Sequence, residues 1–67
     1  MNVPLLRSVM ALHNDTNKDL ANYLRITEQS LSNKINERDT EFKQGEIAAI
    51  KERYDLTAEQ VEQIFFN

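Results

Sequence analysis

Thr16-Asn17-Lys18-Asp19-Leu20-Ala21-Asn22-Tyr23-Leu24-Arg25-Ile26-Thr27-Glu28-Gln29-Ser30-Leu31-Ser32-Asn33-Lys34-Ile35-Asn36 is the stretch whose reading decides the fold. Two sets of apolar residues at helical spacing, Leu20-Ala21-Leu24 and Leu31-Ile35, flank a break at Arg25-Ile26-Thr27. Thr16 stands where its hydroxyl can accept from a free N–H of the first turn. Asp19, three residues on, can return a bond and suits the positive end of the helix. Thr27 repeats the cap, and Ile26 and Leu31 fall at the two positions of a hydrophobic staple that sets the angle at which the chain enters the next helix. The spacing predicts helices over 17–24 and 28–36, joined by a turn of about three residues. Ala21 is small where the two helices must cross, and Leu24, Ile26 and Leu31 clamp the turn from inside.

The same grammar extends outward in both directions. A first helix is expected from Val3-Pro4, with Pro in the first turn where its missing N–H costs nothing, to about His13, ending at Asn14-Asp15. Phe42 and Ile47 bracket Lys43 as a second staple, with Glu46 at the third position, and predict a helix over 44–54, although Lys43 is a poor cap. Leu56, Thr57, Gln60 and Val61 supply staple, cap and capping box for a short last helix through Ile64 and Phe65. The expectation is an all-α chain of five short helices, with residues 1–67 as a single domain. Its core should collect Leu6, Val9, Met10, Leu20, Ala21, Leu24, Ile26, Leu31, Ile35, Phe42, Ile47, Ile50, Tyr54, Leu56, Val61, Ile64 and Phe65.

Composition narrows the chemistry. At 67 residues with no Cys and a single His13, the chain has no disulfide staple and no thiolate or multi-histidine metal set, so stability must come from packing, capping or self-association. No metal or cofactor is expected. Ser30 and Ser32 have no His beside them, and the carboxylates at Asp39, Glu41, Glu46, Glu52, Asp55, Glu59 and Glu62 are scattered like a solvated face, so the chain is not read as an enzyme. The N-terminus lacks a basic stretch before an apolar run, and no segment approaches the length that spans a bilayer, which points to the cytoplasm. The net charge of −3 weighs against a nucleic-acid partner until it is located. Residues 1–44 carry six Lys or Arg against six Asp or Glu, whereas residues 45–67 carry two against five. The acidic excess is confined to the last third, which is expected to point away from any polyanion.

Outward on the second helix of the pair lie Thr27, Glu28, Gln29, Ser32, Asn33 and Asn36, a hydrogen-bonding face whose Asn and Gln amides suit adenine edges in a major groove. On these residues, and on the five-helix plan around them, the chain resembles the Cro and lambda-repressor-like helix-turn-helix family of phage and bacterial regulators over nearly its whole length. The resemblance implies sequence-specific binding of a double-stranded operator as a phage or prophage-type transcriptional repressor, with the recognition helix 28–36 in the major groove. It places Thr27, Glu28, Gln29, Ser32 and Asn33 near bases, and Asn17, Lys18, Lys34, Asn36, Arg38, Lys43 and Gln44 near phosphates. Gly45 suits either a close phosphate or a tight packing contact. Two positions depart from the family. Arg25 stands where Gly is usual, so either the residue carries a left-handed strain of about 1–2 kcal/mol or the turn differs. Lys34 stands where many relatives have an aliphatic residue.

Phe65 and Phe66 cannot both face one core from adjacent helical positions, which makes Phe66 the candidate for a homodimer contact on DNA. Two alternatives remain open from sequence: the N-terminal DNA-binding domain of a longer repressor, and a protein-interaction module such as an antirepressor that uses the acidic last third.

Overall fold

Four of the five helices begin where a side chain accepts from a free N–H of the first turn. The computed structural model describes residues 1–66, and among them there are five α-helices and no strand: α1 Val3–Leu12, α2 Asn17–Leu24, α3 Glu28–Ile35, α4 Gln44–Arg53 and α5 Ala58–Phe65. Thr16 and Asp19 exchange bonds across the start of α2, with Asp19 N–H donating to the Thr16 hydroxyl at 3.1 Å and Thr16 N–H to the Asp19 carboxylate at 3.0 Å. Thr57 and Gln60 do the same at α5, at 3.1 and 2.8 Å. Thr27 accepts from Ser30 N–H at 3.0 Å. At α4 the lysine at the cap position offers no acceptor, and the box is half-formed: Glu46 alone accepts, from Lys43 N–H at 2.8 Å. The cap of α1 is Asn2, whose side chain accepts from Leu5 N–H at 3.1 Å, a signal legible in the sequence as an Asn directly before Val-Pro.

Four of the five helix ends carry one signature that composition conceals. Residues Asn14, Arg25, Glu37 and Asp55 all have positive φ, and in each case the next residue donates its N–H five residues back: Asp15 to Met10, Ile26 to Ala21, Arg38 to Asn33, Leu56 to Lys51, at 2.9 to 3.0 Å. This is the Schellman closure of a helix, normally built on glycine. Here none of the four is glycine, and the chain's one glycine, Gly45, lies in the first turn of α4 with ordinary φ. Arg25 therefore keeps the left-handed geometry (φ 59°, ψ 42°) and carries its strain. The closures shorten three helices by a residue relative to expectation, the first being α1, which stops at Leu12 with His13 as its cap. α3 stops at Ile35 with Asn36 as its cap, and α4 stops at Arg53 with Tyr54 as its cap.

The core is a contiguous cluster of Leu6, Val9, Met10, Leu20, Ala21, Leu31, Ile35, Phe42, Ile50, Tyr54, Leu56 and Ile64. Leu24, Ile26, Ile47, Val61 and Phe65, expected inside, are only partly buried and pack around its edge together with Met1, Val3 and Leu5. A domain this small has a rim comparable to its centre. α2 packs closely on α3, while α5 has α1 and α4 as its main neighbours. Phe65 meets Phe42 edge to face at 5.6 Å, and Phe66 is 67% exposed.

α4 buries just one side chain fully, Ile50, and is pinned by polar contacts near both ends. Near its start Glu46 meets Lys34 of α3 at 3.1 Å. At its end Arg53 makes a two-pronged contact to Asp15 in the α1–α2 connection, at 2.7 and 2.8 Å, and Tyr54 hydroxyl donates to the same carboxylate at 2.5 Å. The Arg53 guanidinium also lies 4.6 Å above the Tyr23 ring of α2. His13, at the C-terminal cap of α1, packs its ring beside Tyr54 at 5.1 Å. The Arg53 bonds hold the Asp15 carboxyl below the usual carboxylate range against the opposing effect of burial, and burial, reinforced by Asp15, pushes the Tyr54 phenol up.

Two measurements follow from these closures and pins. Arg25→Gly should raise stability by about 1 kcal/mol, read as a higher denaturation midpoint at constant m, because left-handed strain is relieved. A lower midpoint would show that Arg25 carries no strain. Asp15 and Asp19 both titrate below their unfolded values, Asp19 chiefly through its bond from Thr16 N–H. Their contributions are thus complete above about pH 4 to 5 and are lost as pH falls through the lower folded values. Asp15→Asn should cost about 2–3 kcal/mol at pH 7 and make the loss of stability on acidification shallower, Asp19 still contributing to it.

Candidate nucleic-acid interface

The outer face of α3 is built by its own caps and by a regular set of side-chain bonds one turn apart. Glu28 and Gln29 are exposed, and Ser32 and Asn33 are half-buried beside them. Gln29 Nε2 donates to Asn33 Oδ1 at 3.1 Å. Asn36 Nδ2 donates to the Ser32 carbonyl at 3.0 Å and approaches the Ser32 hydroxyl at 3.4 Å, so Asn36 closes the helix with its side chain. Thr27 is differently employed. Its hydroxyl accepts from Ser30 N–H and donates to Ser30 Oγ at 3.1 Å, so its proton and one lone pair serve the cap. Of the residues assigned to bases, Glu28, Gln29, Ser32 and Asn33 therefore form the available face, and Thr27 sits at its edge.

The residues assigned to phosphates divide into two groups and one exception. At the N-terminal end, Lys18 is exposed, and Asn17 opens α2. Arg7 of α1 donates to Asn17 Oδ1 at 3.4 Å, and a concave surface lined by Arg7, Asn17, Lys18 and Glu28 joins α1 and α2 to the start of α3. Arg7 was not singled out from sequence, since it lies nine residues before Thr16 and only packing of α1 beside α2 brings it here. At the other end, Asn36, Arg38, Lys43 and Gln44 are all exposed between the end of α3 and the first turn of α4. A methyl group at Gly45 would meet no atom within 4 Å, so packing does not require this glycine and the backbone of that turn is open.

Lys34 is the exception, and its expected place at a phosphate is corrected. The residue is 8% exposed and its ammonium is held by Glu46 at 3.1 Å. Its stem fills the inward position that an aliphatic side chain would take, and its head reaches the edge of the core to meet a carboxylate. Glu46 is correspondingly not part of a solvated acidic face. One of its oxygens receives both the Lys34 ammonium and the Lys43 N–H.

The acidic residues of α5 lie elsewhere. Glu59, Glu62 and Gln63 line a shallow depression with Phe66. Among the described residues, no three His, Asp or Glu side chains converge as a metal set, and no helix is long and apolar enough to cross a membrane. No family model matches the chain, and neither a curated protein nor a solved structure matches it.

Lys34→Ala should lower stability by about 1–3 kcal/mol, because it leaves the Glu46 carboxylate half-buried without its cation and opens a gap beside Ile35. Denaturant titration measures this. An unchanged midpoint would show that the pair holds nothing in place.

Proposed function

We propose that this chain binds double-stranded DNA sequence-specifically, with α2 and α3 acting as a helix-turn-helix and α3 lying in the major groove, and that it acts as a transcriptional repressor by occupying an operator. The observation that carries the reading is the outer face of α3: amide and hydroxyl groups at Gln29, Ser32 and Asn33, with exposed cations at both ends. Arg7 and Lys18 stand at one end, Arg38 and Lys43 at the other. Polar amides in the middle suit base edges, and flanking cations suit the two phosphate strands that border a groove. The open backbone at Gly45 suits a phosphate approaching the first turn of α4. The reading involves no catalysis and no cofactor.

Against the net charge of −3, Glu59 and Glu62 lie on α5, whose main neighbours are α1 and α4, while Glu28, Glu37, Asp39 and Glu41 stand exposed beside the flanking cations and weaken their attraction for phosphate. A two-fold contact at the exposed Phe66 belongs to the same reading. Such a contact brings Glu59 and Glu62 of two copies near one another, so added salt should tighten self-association while it loosens DNA binding.

Binding to random duplex, titrated against salt, tests the proposal. Neutralisation of four phosphates by Arg7, Lys18, Arg38 and Lys43 gives a slope of about −3.6 in log K against log salt per subunit. Lys18→Ala and Lys43→Ala should each reduce the slope by about 0.9, and Lys34→Ala should leave it unchanged. No binding at low ionic strength would sink the reading and favour a protein-interaction module. Phe66→Ala should leave the fold intact and abolish cooperative occupancy of paired half-sites. Identical cooperativity in the variant would remove Phe66 from the dimer.

A further inference from the structure

Glu46 puts a carboxylate where a polyanion is due to approach. With α3 in a major groove, one phosphate strand runs beside Arg38, Lys43 and Gln44, which stand exposed between the end of α3 and the first turn of α4. Glu46 belongs to that same turn, and its Oε1 accepts the backbone N–H of Lys43 at 2.8 Å. A negative charge fixed one hydrogen bond from Lys43 repels the phosphate that Lys43 attracts. The Lys34 ammonium lies 3.1 Å from the same oxygen and cancels the charge where it is held. The two side chains are only 10% and 17% exposed, so water and salt screen this pair less than they screen the exposed Glu37, Asp39 and Glu41. Stability alone does not call for charge at either position. An aliphatic side chain fills the inward place of Lys34, and a glutamine at position 46 still accepts the Lys43 N–H, so an uncharged pair holds α4 as well.

Resting on the reading of α3 as a DNA-recognition helix, we propose that Lys34 acts on DNA through Glu46. It is a positioning residue: it makes no phosphate contact, and it keeps the Glu46 carboxylate neutralised and in place so that Lys43 and Gln44 can meet the strand. The proposal carries a sign. Intact, the pair has no net charge. Without Lys34 the turn presents an uncompensated anion beside the strand. Without the charge on Glu46 it presents one more cation, on a stem long enough to swing its head out to water. A pair that only fastened α4 to α3 would behave differently, since breaking it from either side would loosen the same turn and act in the same direction.

Binding of random duplex at one fixed low salt concentration tests this, with the native chain, Lys34→Met, Glu46→Gln and the double variant compared. Denaturant unfolding of each is the control that it is folded at the assay temperature. Lys34→Met should weaken binding by about 3- to 10-fold, the effect of one added like charge at close range under partial screening. Glu46→Gln should tighten binding by about 2- to 5-fold, because the freed ammonium faces the strand. The double variant is neutral again and keeps the bond to Lys43 N–H, so it should bind within about twofold of the native chain even if its denaturation midpoint differs. Single variants that both weaken binding, or both leave it unchanged, overturn the inference and leave DNA binding standing, as does a double variant that fails to recover. If Lys34→Met does not fold, Glu46→Gln decides alone, and binding equal to or weaker than native overturns the inference. Failure of the native chain to bind any duplex at low salt removes the DNA-binding reading itself, and this inference with it.

Discussion

The structure depends on the carboxylate of Asp15. It sits in the short connection between α1 and α2 with its side chain 9% exposed, and it receives two bonds from Arg53 and one from Tyr54 at the far end of α4. A carboxylate removed from water this far is tolerated only with its charge paired and its lone pairs filled, and all three donors come from one helix terminus. The Lys34–Glu46 pair does the same near the other end of α4. α4 is thus fastened near its start to the last turn of α3 and at its end to the connection before α2. Ile50 gives it its grip on the core, and the two ion pairs fix its direction.

That arrangement explains how so small a core can hold a precise surface. Twelve buried side chains supply the non-directional cohesion. The helix caps, the left-handed closures and the two ion pairs supply direction, because each is satisfied in one geometry only. The outer face of α3 inherits its rigidity from them. Its first turn is fixed by Thr27, its last by Asn36, and its inner side by Leu31, Lys34 and Ile35. Left-handed strain at Arg25 and Glu37 offsets part of this gain, and those two residues bound the α2–α3 pair at its turn and at its end.

The same construction gathers cations from several elements around α3, with Glu28 at one end and Glu37, Asp39 and Glu41 at the other exposed among them. Arg7, Lys18, Arg38 and Lys43 come from α1, α2, the segment after α3 and the start of α4, and they meet around α3 only because these elements pack as they do. In sequence the six cations and six acids of residues 1–44 cancel. In space Asp15 is neutralised by Arg53 from outside that segment and Lys34 by Glu46, so each sign loses one member and the remainder stays exposed.

The sequence by itself determined where the helices begin, which apolar residues line the inside of α2 and α3, and that α3 presents amides and hydroxyls outward. Those features are encoded within one or two helical turns, by a capping hydroxyl, a returned carboxylate or an apolar residue at fixed spacing, and a local code survives folding unchanged. Only the tertiary structure decided the fate of Lys34, Arg7 and Asp15. Lys34 reads as a free cation until Glu46 is brought to it, Arg7 as an ordinary surface residue until α1 lies beside α2, and Asp15 as a helix breaker until Arg53 arrives from 38 residues away. Two helix ends were legible, at Asn14-Asp15 and at Arg25, whereas the closures at Glu37 and Asp55 were not, because the glycine that usually announces them is absent. Each closure is held by the N–H that the following residue donates back into the helix, and that bond forms only once the chain beyond has taken its course.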